Sequence, residues 1–424
     1  MDSIVVNSKL LNLRQSATVL INQQVKDLRA QGKQVYHFGF GQSPFEVHES
    51  VQKALCEASS QKLYLPTKGL ASLREAISQF VYKHFAMSYD ADHIIVGPGS
   101  KQLLYQASAI IEGPILLPTP SWVSYAPQAE ILGKTLIPIR TSKFHDYKLT
   151  PEDLENVCEG LEHKQKILLM NSPHNPTGSV YQPHEVKEIV EVCRRFNVVI
   201  LSDEIYAYID FSGSAEKSFA YHYPEGTMVT GGLSKAFHAG GYRLGFLAAP
   251  HGKKDLIDCM GVMASQTYTS VSAPIQYAAL EAYSNPAVAE YARECSFIHQ
   301  ATSQYLYERL IKMNLGCVKP EGAFYLFPDM ENFKPALKTR NLHSSGRLCR
   351  HLLDNFSVAV LPASVFSYPQ EYLAFRIAAT DYDGEKAYRA FKQGDELNDQ
   401  FVRKYCPNLE AGISQIEKFV SELN

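Results

Sequence analysis

The chain has 424 residues, 45% apolar and 20% charged, which is long for a single hydrophobic core and predicts two domains. A formal net charge of −3 gives no reason to expect nucleic acid or a membrane surface as a partner, and no uncharged apolar run is long enough for a membrane span. Its eight cysteines form no CxxC and no cysteine–histidine cluster, so the expectation is reduced thiols, no metal site and a cytoplasmic protein.

In chain order, the start MDSIVVNSKLLNLRQ lacks the basic patch and apolar core of a secretory signal. Residues 17–30 read as a helix ended by Gln31-Gly32, followed by a short strand at Val35–Phe38. From about 49 to 250, helical patterns alternate with short apolar strands at His93–Val96, Ile115–Leu117, Thr135–Ile139, Ile167–Met170, Val198–Leu201, Met228–Thr230 and Leu244–Ala248. Lys101–Ile111 and His184–Phe196 are two of the intervening helices. Strands written as plain apolar runs are those buried between helix layers, so a doubly wound, mostly parallel α/β sheet is expected. The tail differs. A long amphipathic helix at Asn285–Asn314 precedes strand signals at Cys317–Lys319 and Phe324–Phe327, a helix near Ser344–Asn355, strands near Val358–Leu361 and Tyr372–Ile377, and closing helical patterns. The expected division is a large domain over 46–300 and a smaller α+β domain built from 1–45 and 301–424.

Four post-strand loops hold unusual polar residues, and ligands collect at the carboxyl ends of strands in such sheets. Gly97-Pro98-Gly99-Ser100-Lys101 opens a helix and suits a phosphate, although such a loop is also an ordinary tight turn. Ser172-Pro173-His174-Asn175-Pro176-Thr177-Gly178 is a stiff turn that either aims the Asn175 amide or satisfies it locally. Asp203, at the end of a buried strand, needs a partner: a helix N-terminus, or a protonated pyridine nitrogen. Gly232-Leu233-Ser234-Lys235 offers a lysine that burial can turn into a nucleophile, and Arg243, eight residues on, can grip a phosphate. Trp122, the chain's single tryptophan, sits in a further loop where its face could stack on a planar group or fill the core.

With these residues in place, the chain resembles the class I aminotransferases of pyridoxal-phosphate fold type I, in the bacterial branch of the aspartate aminotransferases. The supporting segments, in order, are SATVLINQQVKDLRAQG, YLPTKGLASLREAI, GPGSKQLL, PTPSWVSY, NSPHNPTGSVY, LSDEIY, SKAFHAGGYRLGF, PEGAFYLF and FRIAAT. The resemblance implies transfer of an amino group from an L-amino acid to a 2-oxo acid, with pyridoxal 5'-phosphate held by Lys235 as a Schiff base. It implies Asp203 on the pyridinium nitrogen, Tyr206 and Asn175 on the ring oxygen, and Trp122 over the ring face. Backbone at Ser100 and Lys101, the Ser234 hydroxyl and Arg243 would hold the phosphate. Arg376, Gly41 and Asn175 would receive the substrate carboxylate. Tyr64 would reach the neighbouring subunit's phosphate, making the active unit a homodimer, and the Thr119-Pro120 and Asn175-Pro176 bonds would both be cis.

The chain departs from the family pattern at Gly41-Gln42-Ser43-Pro44, at Pro362-Ala363, at Gly232 where a hydroxyl residue is common, and in a longer stretch near 384–410. Ser265 to Ser272, where some relatives carry an arginine for a second substrate carboxylate, holds no cation, which favours a broad or neutral-to-aromatic donor range unless a cation such as Lys9 or Arg14 comes from elsewhere. β-Elimination on the same fold is the alternative reaction, and a non-catalytic binding protein the alternative class.

Overall fold

Seven short runs come together as one sheet whose inner members are buried on both faces, while the edge run Leu136–Arg140 is only partly covered. The computed structural model describes residues 6–11 and 13–423, the side chains of residues 8 and 9 excepted. The opening residues 1–5 and the Lys9 side chain, both weighed above, lie outside the described residues.

Helix α1 (Ala17–Ala30) leads to β1 (Tyr36–His37). The large sheet then uses β2 (Ile94–Gly97), β3 (Ile115–Thr119), β4 (Leu136–Arg140), β5 (Lys166–Asn171), β6 (Val198–Asp203), β7 (Thr227–Gly232) and β8 (Gly245–Ala248). Between and after them run α2 (Ser100–Ile110), α3 (Tyr125–Leu132), α4 (Pro183–Arg195) and α5 (Lys254–Ser265). The strand order is β2-β8-β7-β6-β5-β3-β4, and β8 alone runs against its neighbours. Every residue of β2, β5 and β8 is buried, and separate apolar clusters on the two faces, around Leu104 and Met260 on one and Val186 and Ile189 on the other, fill the space under the helices. This is the doubly wound layering that the plain apolar runs predict.

The remainder contains α6 (Pro286–Lys312), β9 (Tyr325–Leu326), α7 (Ser345–Phe356), β10 (Val358–Ala359), β11 (Leu361–Pro362), β12 (Phe375–Ala378) and α8 (Pro407–Ser421). Strands β11, β12 and β9 form an antiparallel sheet, while β1 pairs with β10 in parallel. The strand expected at Cys317–Lys319 does not form, because only an isolated bridge from Gly316 to Asp329 pairs that stretch. The longer stretch near 384–410 folds as helices Gly384–Lys392 and Asp399–Tyr405, which pack Phe401 and Ala387 against Ile298 of α6.

Phe38, fully buried just after β1, joins a core made mainly from residues 305–420. Phe38→Ala is expected to destabilise the protein by about 3–5 kcal/mol through lost burial and the cavity left behind. A thermal melt of the variant lying within a degree of the parent would refute this.

Candidate active site

The carboxyl ends of β3, β5, β6 and β7 and the end of β2 point to one side of the sheet, where a cavity of about 510 Å³ opens. Ser100, Lys101, Trp122, Asn175 and Asp203 line it, as do Tyr206, Ser234, Lys235, Arg243, Gly41 and Arg376. Tyr64 does not. It is 89% exposed on this chain, beside Leu63, itself 73% exposed.

At the start of α2, Gly99 has φ of +89°, and a Cβ there would lie 2.5 Å from Nη2 of Arg243. Glycine is therefore required both for the turn and for the guanidinium to lie against it. The first N–H groups of α2 and the Arg243 fork, with Ser234 nearby, make an anion cradle. The hydroxyl residue common in the family at the position of Gly232 has no room here. A Cβ on Gly232 would meet Gly245 Cα and Leu244 O, both at 2.8 Å.

Asp203 ends β6 fully inside the protein. The Tyr125 hydroxyl donates to its Oδ2 at 2.8 Å and the Thr230 hydroxyl to its Oδ1 at 3.2 Å. Burial nevertheless pushes the carboxyl up to about 6, the Tyr125 bond being the largest opposing effect. The neighbouring Glu204 points away, accepts from Ser202 and Ser218, and is pushed by burial to about 7. Trp122 stands edge-on to Tyr125, with ring centroids 5.2 Å apart.

Lys235 follows β7. Its Nζ donates to the Gly41 carbonyl at 2.6 Å and lies 5.7 Å from the ring centres of both Tyr206 and Phe324. Burial, with the Arg376 charge adding to it, brings its ammonium down to about 8. The Tyr206 hydroxyl is 2.8 Å from that of Tyr325.

Arg376 is carried by β12 and is 1% exposed. It donates from Nη1 to Asn175 Oδ1 at 3.0 Å and from Nη2 to the Gly39 carbonyl at 2.8 Å, and it lies over the Tyr325 ring at 4.6 Å. Its buried Nε has no hydrogen-bond partner among the described residues. Asn175 is aimed by Asn171, whose Oδ1 accepts from the Asn175 N–H at 2.8 Å and whose amide donates to the Asp203 carbonyl at 2.8 Å.

The loop geometry corrects one expectation. Thr119-Pro120 is cis as expected, but the second cis bond is Ser172-Pro173 and not Asn175-Pro176. The cis bond of loop 172–178 is therefore at its first proline, two residues before the Asn175 amide that reaches Arg376.

Sequence reasoning missed Tyr125, Asn171, Thr230 and Tyr325, which brace the residues it found. Tyr125 closes the quoted segment PTPSWVSY and Tyr325 lies inside PEGAFYLF, so a tyrosine one helical turn beyond Trp122 was the available signal. It also missed Thr18 and Val19 of α1, which line the cavity, whereas none of Ser265 to Ser272 does so within this chain.

A family model described as aminotransferase class I and II matches residues 33–391. The probable aspartate/prephenate aminotransferase of Aquifex aeolicus is 32% identical over 371 residues, 85% of this chain and 91% of that protein. The aspartate aminotransferase of Geobacillus stearothermophilus is 32% identical over 370 residues, with the same coverage. The solved aspartate aminotransferase of Thermus thermophilus with maleate superposes with a TM-score of 0.83 at 26% identity, covering 98% of this chain and all of that one.

Proposed function

The chain belongs to the class I and II aminotransferases, and we propose that it transaminates dicarboxylic L-amino acids, aspartate first, using pyridoxal 5'-phosphate. The observation that carries the reading is the set of four cations lining one cavity: Lys101, Lys235, Arg243 and Arg376.

The donor set fits the cofactor. The α2 start, Ser234 and Arg243 suit its phosphate, the buried Asp203 carboxyl its ring nitrogen, and Tyr206 and Asn175 its ring oxygen. When bound, pyridoxal 5'-phosphate supplies an electron sink for the charge left when an amino acid loses its α-proton. Asp203 would keep the ring nitrogen protonated, because a cation beside it would lower a carboxyl that burial has raised. Lys235 Nζ is the amine that would carry the cofactor. Freed by a donor's amino group, it would be a base placed to move the α-proton, and its low pKa leaves about half of it neutral at pH 8. Arg376 presents a planar fork to the α-carboxylate, with the Asn175 amide alongside. Trp122, on the cavity wall, would cover the ring face.

Lysine 235, Arg243 and Arg376 are then all engaged, which leaves Lys101 for a second carboxylate. Its Nζ lies 4.9 Å over the Trp122 ring, and burial, then Arg243, lowers its pKa. A side-chain carboxylate drawn into such a cavity requires a cationic partner. Support comes from the maleate, itself a dicarboxylate, named with the Thermus enzyme. This reading replaces the neutral-to-aromatic range argued from Ser265 to Ser272.

The deciding measurement is kcat/KM for aspartate, glutamate, alanine, phenylalanine and tyrosine with one common acceptor. Aspartate is expected to exceed alanine by about a hundredfold or more, and Lys101→Gln to remove most of that ratio while neutral donors change only a few-fold. Equal rates for aspartate and alanine in the parent would overturn the assignment. Pyruvate released with no 2-oxo acid present would point to elimination.

We assign Tyr64 to the neighbouring subunit's phosphate, within a cytoplasmic homodimer organised as the two domains 46–300 and 1–45 with 301–424. The exposed Leu63-Tyr64 pair and eight unpaired thiols support this. Mixing Tyr64→Phe chains with Lys235→Ala chains is expected to give activity above the sum of the parents, because one site in each hybrid carries neither lesion. Activity no higher than that sum would end the shared-site reading.

A further inference from the structure

We propose that Asp90, His93 and His251 form a binding site for a divalent transition-metal ion of the zinc type, at the end of the large sheet away from the cavity. Each of the three offers a ligand atom, and these atoms lie within 4.8 Å of one another. His93 immediately precedes β2 and His251 follows β8 in the next turn. The backbone holds the two segments together, since the Ala249 N–H donates to the His93 carbonyl at 2.9 Å and Ile94 pairs with Ala248. The opposite end of the same strand pair, Gly97 beside Gly245, is the one that leads into Ser100 and the cavity.

Two observations point to a ligand. Both ring nitrogens of His93 are buried and have no hydrogen-bond partner among the described residues, although its side chain is only 13% exposed. A buried polar atom left unpaired is costly, and an ion is one of the few things that repays the arrangement. His251 donates from Nε2 to the Ser88 carbonyl at 2.7 Å. A carbonyl only accepts, so Nε2 is the donor and Nδ1 is the ring nitrogen left to face an ion. This is the outer hydrogen bond that orients metal-ligating imidazoles. Stacking of the ring parallel to Tyr89, at 6.3 Å and 10°, holds it further.

Asp90 completes the set. Its Oδ2 is 3.7 Å from His93 Nδ1, too far for a hydrogen bond. The adjacent Asp92 is already engaged by Arg74 and Lys254, both at 3.3 Å, so the neighbouring cations are partly neutralised. Four-coordinate ligands on metal bonds of about 2.0–2.1 Å stand roughly 3.4 Å apart. A turn of the exposed Asp90 side chain, with His251 kept on the Ser88 carbonyl, brings the carboxylate toward that spacing. Two imidazoles and one carboxylate favour a borderline ion such as Zn²⁺ over Mg²⁺ or Ca²⁺, and the exposed side leaves a fourth position for water. Bound there, the ion ties the edge strand β2 to the turn before α5, and its role is stabilising.

The test uses the full-length holoenzyme, stripped with a chelator and titrated with Zn²⁺ against a chromophoric competitor, then with Co²⁺ to read its visible absorption. One Zn²⁺ per chain, raising the melting temperature by a few degrees, is expected. His93→Gln, His251→Gln and Asp90→Asn are each expected to weaken binding by about tenfold or more and to remove the melting shift. Replacing the exposed Cys56 and Cys259 by serine should leave binding unchanged. His251 and Asp90 are exposed, so their variants still report if His93→Gln fails to fold. Absence of Zn²⁺ binding, or binding that survives both His251→Gln and Asp90→Asn, overturns the site.

Discussion

Replacing Lys235 by alanine is expected to lower the transamination rate by about 10⁴-fold or more, since both the amine that would carry the cofactor and the base that moves the proton are removed. The lesion should be chemical and not structural. The Lys235 side chain makes one hydrogen bond among the described residues, to the Gly41 carbonyl, so the variant's melting temperature without cofactor should stay within a few degrees of the parent. Borohydride should fix pyridoxal 5'-phosphate to the parent and not to the variant. A reducible adduct at the same site in Lys235→Ala would remove Lys235 from this role. The low pKa adds a second readout. An ordinary lysine is almost wholly protonated at pH 8, whereas Lys235 is brought to about 8 by burial and by Arg376. Cofactor uptake by the apoprotein, which needs the neutral amine, should rise about tenfold per pH unit below 8 and flatten above it. A rise continuing unchanged beyond pH 10 would show an unperturbed lysine.

The second large effect is expected at Arg376. Removing one partner from a buried, hydrogen-bonded charge cluster costs about 2–5 kcal/mol, which corresponds to roughly 30- to 5,000-fold in kcat/KM. Arg376→Ala strips the donors from Asn175 Oδ1 and the Gly39 carbonyl and also removes the fork proposed for the substrate carboxylate. Every donor should suffer alike, because every donor has an α-carboxylate. Lys101→Gln, by contrast, should penalise dicarboxylates most and change neutral donors only a few-fold. Arg376→Lys keeps the charge but loses the planar pair of N–H groups, so it should recover a small part of the loss. If Arg376→Ala affected aspartate alone and spared alanine, the roles of Arg376 and Lys101 would have to be exchanged.

The large sheet was legible because its strands announce themselves locally. Runs such as Ile167–Met170 and Val198–Leu201 are apolar throughout, and the observed β5 and β6 extend them by only a residue or two into the polar ends that face the cavity. The site residues were legible for the same reason: they stand immediately after those runs. What bracing each would receive was not. Tyr125 meets Asp203 across 78 positions, and Arg376 meets Asn175 across 201, so no local period records either contact. Cys317–Lys319 carried a strand-like pattern without a strand beside it to pair with, and tertiary context decided against it. Lys101 was read only as backbone for a phosphate, because nothing in the sequence says that its side chain lies over Trp122.

Strand β1 pairs with β10 across more than 300 positions, and the segment just after β1 supplies Gly39 to Arg376 and Gly41 to Lys235. On a ribosome, where the N-terminus emerges first, that segment must wait for nearly the whole chain before its partner strand exists. The large sheet can assemble in the meantime from neighbours close in sequence, whereas the β1–β10 closure is a late, long-range event with a correspondingly high entropic cost. A ribosome-stalled chain ending near residue 340 should therefore display a protease-resistant 94–248 region and yet leave Lys235 open to water on the side that Gly41 later covers.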